Sequence, residues 1–376
     1  MGVSLYVHVP FCKSKCMYCD FCSYSGFEKR MMEYTHALCN EILLSCKNKS
    51  IDTIFIGGGT PTYLSLEAWS LLKDTFKVLN IEKNIEFTVE CNPGTADEEK
   101  LRLLREMGVN RISIGLQAWQ DRLLKKLGRI HSRDEFVRSF NIIRSCGFEN
   151  INVDVMFGLP SQSIPDFRDT LENVVKLHPE HISCYSLIVE EGTPFGEMYD
   201  KGRLELPEEE EERGMYEYAV SFLKKKGYMQ YEISNFSREG FECRHNITYW
   251  KLREYIGCGA AAHSYMGGSR YRNEEDIEEY IKAVNSRGDA VVEKRQNTME
   301  DDMEEFMFMG LRMIEGVNKS EFYRRFGTSM AEVYEEVINK YTEFGFLVEK
   351  GDNISLTEAG IQVSNTVMSD FILDRD

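Results

Sequence analysis

Short apolar runs recur through the first half of the chain, spaced so that one amphipathic helix fits between most of them. Residues 4–9, 52–56, 85–90, 111–117, 151–157 and 181–188 read as buried strands. Between them, 28–46, 97–107, 133–146 and 164–177 carry apolar residues at helical spacing. Six strands with helical crossovers predict an α/β fold, a parallel sheet curved as a partial (β/α)6 barrel, because each crossover is right-handed. Barrels of this kind place their chemistry at the carboxyl ends of the strands. The unusual residues fall at such ends: a group of cysteines after the first strand, a Gly57-Gly-Gly-Thr-Pro61 turn after the second, then Glu90-Cys-Asn-Pro, Gln117, Asp154 and Tyr185.

This barrel is expected to occupy residues 1–200. A barrel-capping extension follows over 201–295. It opens with Pro207 and an acidic run, 208–212, that suits a helix start and its dipole. A strand over 227–234, the segment Cys243-Arg-His-Asn-Ile-Thr-Tyr-Trp250 and a glycine-rich turn at 257–264 complete it. Over 296–376, helices at 303–314, 318–326 and 330–344 precede a hairpin at 346–356, an order that predicts a small winged-helix-like domain. Its third helix carries Glu332, Glu335, Glu336 and Glu343 against Lys340. Affinity for duplex DNA rests on neutralising phosphates, so no gel shift is expected at micromolar protein and physiological salt.

Composition narrows the class. The 376 residues are 42% hydrophobic and 28% charged, as in ordinary globular proteins. A net charge of −17 argues against nucleic acid and against binding to anionic membranes. No apolar run approaches the ~20 residues of a membrane helix. The chain enters its first strand without a signal peptide, and its eleven cysteines then imply a reducing compartment, hence the cytoplasm.

The candidate chemistry starts at Cys12-x3-Cys16-x2-Cys19. One short loop can present several thiolates to one centre, and three thiolates on a four-iron cluster leave one iron open to a small molecule. A zinc half-site or a disulfide set shares this spacing, but no Cys/His pair at zinc spacing follows downstream. Cys22 could reach the same centre. A fourth thiolate would close the open iron, so Cys22 reads as a non-ligand. The glycine turn lets backbone approach a ligand, or is simply a tight turn. Glu90, Gln117 and Asp154 could bond amino or ribose groups, or serve as structural partners.

The loop resembles the signature of radical S-adenosylmethionine (SAM) enzymes. Further motifs extend the resemblance over nearly the whole chain: Y-x-H-x-P-F-C-x3-C-x-Y-C-D-F, G-G-G-T-P, N-R-I-S-I-G-L-Q, L-G-R-I-H, D-x-M-F-G-L-P, Y-E-I-S-N-F, C-R-H-N-x-x-Y-W and S-L-T-E-A-G. Together they resemble the oxygen-independent coproporphyrinogen III oxidase family, and within it the HemW-type heme chaperones. The oxidases have a fourth cysteine where Phe21 stands, and an N-terminal extension before the first strand. The resemblance implies that Cys12, Cys16 and Cys19 hold a [4Fe–4S] cluster flanked by Tyr6 and Tyr18. It implies that Gly58, Gly59 and Thr60 meet the amino group of SAM, and that Glu90, Gln117, Arg129 and Asp154 line the rest of its pocket. It further implies heme as a second ligand with His245 as axial ligand, delivery of heme to respiratory-chain proteins, and an electron donor such as flavodoxin or ferredoxin. Membrane contact would come only through such partners. The alternative is radical decarboxylation of coproporphyrinogen to protoporphyrinogen; a ring-opening enzyme acting on heme is a third reading. His263 is expected near the SAM pocket.

Overall fold

A computed structural model describes residues 2–373. Six parallel strands form its centre: β1 (Val3–Val9), β2 (Ser50–Gly58), β3 (Asn80–Cys91), β4 (Arg111–Gln117), β5 (Asn150–Phe157) and β6 (His181–Ser186). They are paired in sequence order, as right-handed crossovers require. β4 is buried at all seven positions, which explains its near-continuous apolar run: helices cover one face and the barrel interior the other. The covering helices start where short polar side chains can take an orphan backbone N–H. Ser132 and Ser163 form reciprocal capping boxes with Glu135 and Asp166. The helix Arg133–Ser145 turns Phe136, Phe140 and Ile143 onto the sheet at helical spacing.

The sheet is larger and more mixed than the sequence predicts. Twelve strands run in the order β12-β11-β10-β9-β1-β2-β3-β4-β5-β6-β8-β7. The region 201–295 supplies β7 (Met229–Glu232) and β8 (Asn235–Ser237) at one edge. It supplies β9 (Tyr255–Cys258), β10 (His263–Met266), β11 (Ser269–Asn273) and β12 (Val291–Gln296) at the other. The expected single strand over 227–234 is therefore a hairpin broken after Glu232. The expected turn around Gly257 is the strand β9, parallel to β1. A Cβ on Gly257 would lie 2.1 Å from the carbonyl oxygen of His263, so glycine serves close packing here rather than a turn.

From the same region the helix Arg244–Trp250 crosses the amino-terminal end of the barrel as a floor. The carboxylate of Glu86 accepts the N–H groups of Arg244 and His245, both at 2.9 Å, and so holds the first turn of this helix to β3.

The tail holds a second hydrophobic core. Helices Met299–Gly310, Lys319–Phe326 and Met330–Glu343 pack Phe306, Met307, Phe322, Tyr334 and Ile338 together. A three-stranded sheet closes them, with β13 (Val317–Asn318), β14 (Leu347–Lys350) and β15 (Asn353–Leu356) in the order β13-β15-β14. This is a winged-helix arrangement. Leu252 and Tyr265 belong to the same core, so the tail is built onto the edge-strand region rather than tethered to it. Among the described residues, no helix is long and apolar enough to cross a membrane.

Candidate functional site

At the carboxyl end of the barrel the loop after β1 and the turn after β2 are joined through the backbone. Gly59 N donates to Val9 O at 2.8 Å, and Thr60 N donates to Phe11 O at 2.8 Å. A Cβ on Gly59 would fall 2.8 Å from Phe11 O and 3.0 Å from Cys12 Sγ, so only glycine permits this approach. Gly58 adopts φ +109°, and a Cβ there would strike the His8 ring at 2.5 Å. Its N–H donates to Glu90 Oε2 at 3.0 Å, tying the turn to β3.

These strand ends surround a cavity of about 370 Å³. Cys12, Cys16, Tyr18, Cys19, Gly58, Gly59, Thr60, Glu90, Gln117, Arg129 and Asp154 all line it. Thus eleven of the thirteen residues singled out from the sequence share one chamber, within the size range of ordinary ligand clefts. A chain of contacts crosses its wall. Cys12 Sγ lies 3.5 Å from Thr60 Oγ1, and Asn92 Nδ2 donates to Thr60 Oγ1 at 2.7 Å. Arg129 Nη1 donates to Asn92 Oδ1 at 3.0 Å and approaches Cys16 Sγ at 3.7 Å. Asn92 enters the sequence reading only as part of Glu90-Cys-Asn-Pro, with no role of its own. Strand alternation carries the signal, since it lies two residues beyond Glu90 and so faces the same side.

Two residues lie elsewhere. Tyr6 does not reach the cavity, because it sits three residues before the end of β1, about 10 Å deeper at the usual strand rise. Its hydroxyl is 3.0 Å from His8 Nδ1, and His8 Nε2 is 2.7 Å from Cys22 O, so His8 relays Tyr6 to the cysteine loop. His245 stands in the floor helix, 1% exposed. Thr53 Oγ1 donates to Ser4 Oγ at 2.7 Å, which leaves it an acceptor for His245 Nδ1–H at 2.8 Å. His245 Nε2 then accepts from the Tyr249 hydroxyl at 2.8 Å. Burial and the nearby Arg111 guanidinium hold the ring neutral, with its pKa pushed down to about 3. As folded, both ring nitrogens are engaged, Nδ1 by Thr53 and Nε2 by Tyr249. His263 lies on β10 beside Arg270 and Arg272, away from the cavity. The Cys22 sulfur faces Tyr24 and the Glu275 carbonyl, not the chamber.

The electrostatics of the chamber favour a cation with a carboxylate attached. Burial raises Glu90 from 4.5 to about 8, and the Asp154 carboxyl adds to the rise. Burial raises Asp154 as well, against hydrogen bonds from Asn152 at 2.7 Å and Ser113 at 3.3 Å. Two buried carboxyls on one cavity are relieved by a positive ligand. Arg129 keeps its charge against burial, and its buried Nε has no protein partner, leaving a donor for a ligand carboxylate. Burial also holds the Cys12 thiol up and Cys19 up to about 11, so loading a metal centre must release protons. Among the described residues no three His, Cys, Asp or Glu side chains are grouped to hold a single ion. A cubane asks for less, since each sulfur binds a different iron. The donor set and the orphaned Arg129 Nε therefore fit a three-thiolate cluster with SAM beside it.

Gln117 holds φ +72°, a left-handed backbone that costs a non-glycine residue of order 1–3 kcal/mol, where the register with β5 shifts at the cavity edge.

Comparison with known proteins agrees with this geometry. Residues 6–174 match the Radical SAM superfamily, and 297–363 match the HemN C-terminal domain. The heme chaperone HemW of Bacillus subtilis (strain 168) is 40% identical over 98% of this chain and 99% of its own length. That of Lactococcus lactis subsp. lactis (strain IL1403) is 38% identical over 99% and 97%, and that of Escherichia coli (strain K12) is 32% identical over 99% and 98%. Among solved structures, coproporphyrinogen III oxidase (HemN) from Escherichia coli, a radical SAM enzyme, superposes with a TM-score of 0.86 at 22% identity, covering 99% of this chain and 90% of that one. That likeness establishes the shared fold. The chain belongs to the HemW heme-chaperone family of the radical SAM superfamily.

Proposed function

We propose that this protein binds a [4Fe–4S] cluster through Cys12, Cys16 and Cys19 and SAM in the adjoining chamber, and that it carries heme to respiratory-chain proteins in the cytoplasm. The observation that carries the first part is the chamber itself. Three thiols, a glycine turn, two buried carboxyls and an arginine with a free Nε converge on it. In this reading Gly58–Thr60 and Glu90 take the amino group, Arg129 the carboxylate, and Gln117 and Asp154 the ribose. Bound together, a reduced cluster and SAM supply a 5′-deoxyadenosyl radical. The residues of the chain bind and orient these groups, and Tyr18 shields them at the cavity wall.

The experiment is anaerobic reconstitution, followed by incubation with SAM, reductant, coproporphyrinogen and heme, with products read by mass spectrometry. Bound heme with intact coproporphyrinogen is expected, and protoporphyrinogen formation would favour the oxidase reading. Cys12→Ala, Cys16→Ala and Cys19→Ala should each lose the cluster, whereas Cys22→Ala should keep it. Iron retained in Cys19→Ala and lost in Cys22→Ala would reverse the ligand assignment.

The heme ligand sets a separate test. His245 can take iron through Nε2 only after Tyr249 releases it. Heme uptake by the native protein should therefore be slow, and Tyr249→Phe, which frees that lone pair, should speed it. His245→Ala should lose most heme affinity. Wild-type heme spectrum and affinity in His245→Ala would end the assignment of His245.

A further inference from the structure

The floor helix Arg244–Trp250 is held at its far end by the tail. Leu252, two residues past the helix, belongs to the hydrophobic core of the tail. Arg325, on the tail helix Lys319–Phe326, donates from Nη1 to the Leu252 carbonyl and from Nη2 to the Lys251 carbonyl, both at 3.1 Å. A cation suits these carbonyls, because they stand at the negative end of the floor helix. Lys251 Nζ lies 2.7 Å from Glu315 Oε1, and the Arg312 guanidinium stacks 4.6 Å from the centre of the Trp250 ring. Arg312 and Glu315 both follow directly on the tail helix Met299–Gly310.

A second line of contacts runs from the tail to Tyr249, whose hydroxyl occupies His245 Nε2. The Tyr249 ring meets both His245 and Tyr255 edge to face, with ring centres 5.2 Å and 4.7 Å away. Tyr255, on β9, accepts at its hydroxyl from Arg270 Nη1 at 3.2 Å. Arg270, on β11, is gripped in turn by both carboxylate oxygens of Glu305, each at 2.6 Å, a bidentate pair that fixes the guanidinium plane. Arg270 also lies 4.8 Å over the Tyr265 ring, whose hydroxyl donates to Asp302 Oδ1 at 2.8 Å. Asp302 and Glu305 stand one turn apart on Met299–Gly310. A surface cavity of about 420 Å³ opens beside the Arg270–Glu305 pair, and the Arg270 side chain is 31% exposed, so the pair can part without stranding a buried charge.

We propose that the tail is a lock on the heme ligand: Glu305, through Arg270 and Tyr255, keeps Tyr249 seated on His245, and loosening of this grip opens Nε2 to iron. The inference rests on the reading of His245 as axial ligand. Glu305, Arg270 and Tyr255 are positioning residues here, because they act on the ligand only through Tyr249. When the lock opens, the Tyr249 hydroxyl leaves Nε2 for water, and the freed lone pair bonds iron; no proton and no electron is transferred. The anchors at Lys251 and Leu252 make the end of the floor helix move with the tail, so one displacement of the tail acts on the helix and on its tyrosine together. This gives the winged-helix arrangement a task at the barrel floor that needs no nucleic acid.

The test compares the full chain as wild type, Glu305→Gln, Tyr255→Phe, Tyr249→Phe and the double variant Glu305→Gln with Tyr249→Phe. Glu349→Gln is the control, since it breaks the pair of Glu349 with Lys319 inside the tail. Stopped-flow uptake of heme, followed at the Soret band, should quicken about threefold or more in Glu305→Gln and Tyr255→Phe and stay at the wild-type rate in the control. The band itself should not shift, because the ligand is unchanged. In the Tyr249→Phe background Glu305→Gln should add nothing, as the lone pair is already free; a fold that is merely looser would quicken both backgrounds alike. Wild-type uptake in Glu305→Gln, an equal gain in the control, or an equal gain in both backgrounds would overturn the proposal. Carbethoxylation of His245 by diethylpyrocarbonate, measured by peptide mass spectrometry without heme, reads the exposure of Nε2 directly and should follow the same order of rates. If no variant takes up heme, the heme reading fails, and the carbethoxylation rates alone decide for or against the lock.

Discussion

Replacing Gly59 by alanine is expected to strip the protein of most of its cluster iron while leaving the barrel folded. The added methyl would sit 2.8 Å from Phe11 O, 3.0 Å from Val9 O and 3.0 Å from Cys12 Sγ. Two of these are backbone atoms in a fully buried part of the loop and cannot swing away. The glycine turn must then retreat from the cysteine loop, breaking the bonds Gly59 N to Val9 O and Thr60 N to Phe11 O. Forced overpacking of this kind costs about 1–3 kcal/mol, which a protein of this size survives. The position of Cys12 does not survive it. Iron per chain after anaerobic reconstitution should approach that of Cys12→Ala, with a cooperative melt retained. Gly214→Ala is the control. It lies within the helix Glu209–Lys225, where a Cβ meets only the Ile164 methyl at 3.6 Å, and alanine should stabilise it by roughly 0.5–1 kcal/mol. Wild-type iron content in Gly59→Ala would show that the close approach of the two loops does not position the sulfurs.

Glu90→Gln should produce opposite effects on stability and on ligand binding. In the folded, ligand-free protein Glu90 titrates near 8, raised from 4.5 by burial and by Asp154. Between those values the folded state binds more protons than the unfolded one. Its contribution to stability is therefore full below about 4.5 and is lost as pH rises through 8. Each pH unit separating the folded and unfolded titrations corresponds to about 1.4 kcal/mol, so ionising Glu90 costs the empty protein a few kcal/mol. Glutamine keeps an acceptor for Gly58 N–H and removes the charge. The melting temperature of Glu90→Gln at pH 8.5 should exceed wild type, and its pH dependence from 5 to 8 should flatten. Under the proposed reading SAM loses a charge-assisted partner worth about 1.5–3 kcal/mol, roughly ten- to a hundredfold in affinity by calorimetry. Unchanged SAM affinity would remove Glu90 from the amino-group site, and an unchanged stability profile would show that Glu90 is already neutralised in the wild type.

Which features were legible in the sequence follows from how locally they are encoded. Strands covered on both faces show themselves as apolar runs, and β1 to β6 are such strands. The end of each is marked by the first residues that break the run, which is why Thr60, Glu90 and Gln117 could be gathered from the sequence alone; Asp154, within β5, shows instead as a carboxylate interrupting an apolar run. The edge strands are short, and their burial depends on partners distant in the chain. β9 is placed by β1, some 250 residues earlier, and carries glycine for reasons that only its packing reveals. The depth of Tyr6 and His245 was illegible for a related reason. A motif gives neighbours along the chain, whereas depth along a barrel is set by register. Tyr6 pairs with Phe55 and stacks on it, in the same interior layer as the floor histidine.

The path from Cys12 through Thr60, Asn92 and Arg129 to Cys16 joins two of the three sulfurs by side chains drawn from the turns after β2 and β3 and from the segment after the helix Asp121–Lys126. An eight-residue loop around a cluster, Cys12–Cys19, would ordinarily have to surrender its conformational freedom when the irons arrive. Here most of that freedom is already gone, since two sulfurs are referenced to a rigid sheet. Assembly should then carry a small ordering entropy and tolerate repeated loss and reloading of iron without unfolding. The same frame makes the loop intolerant of drift elsewhere in the barrel, because any shear between β2 and β3 is transmitted to the distance between the two sulfurs.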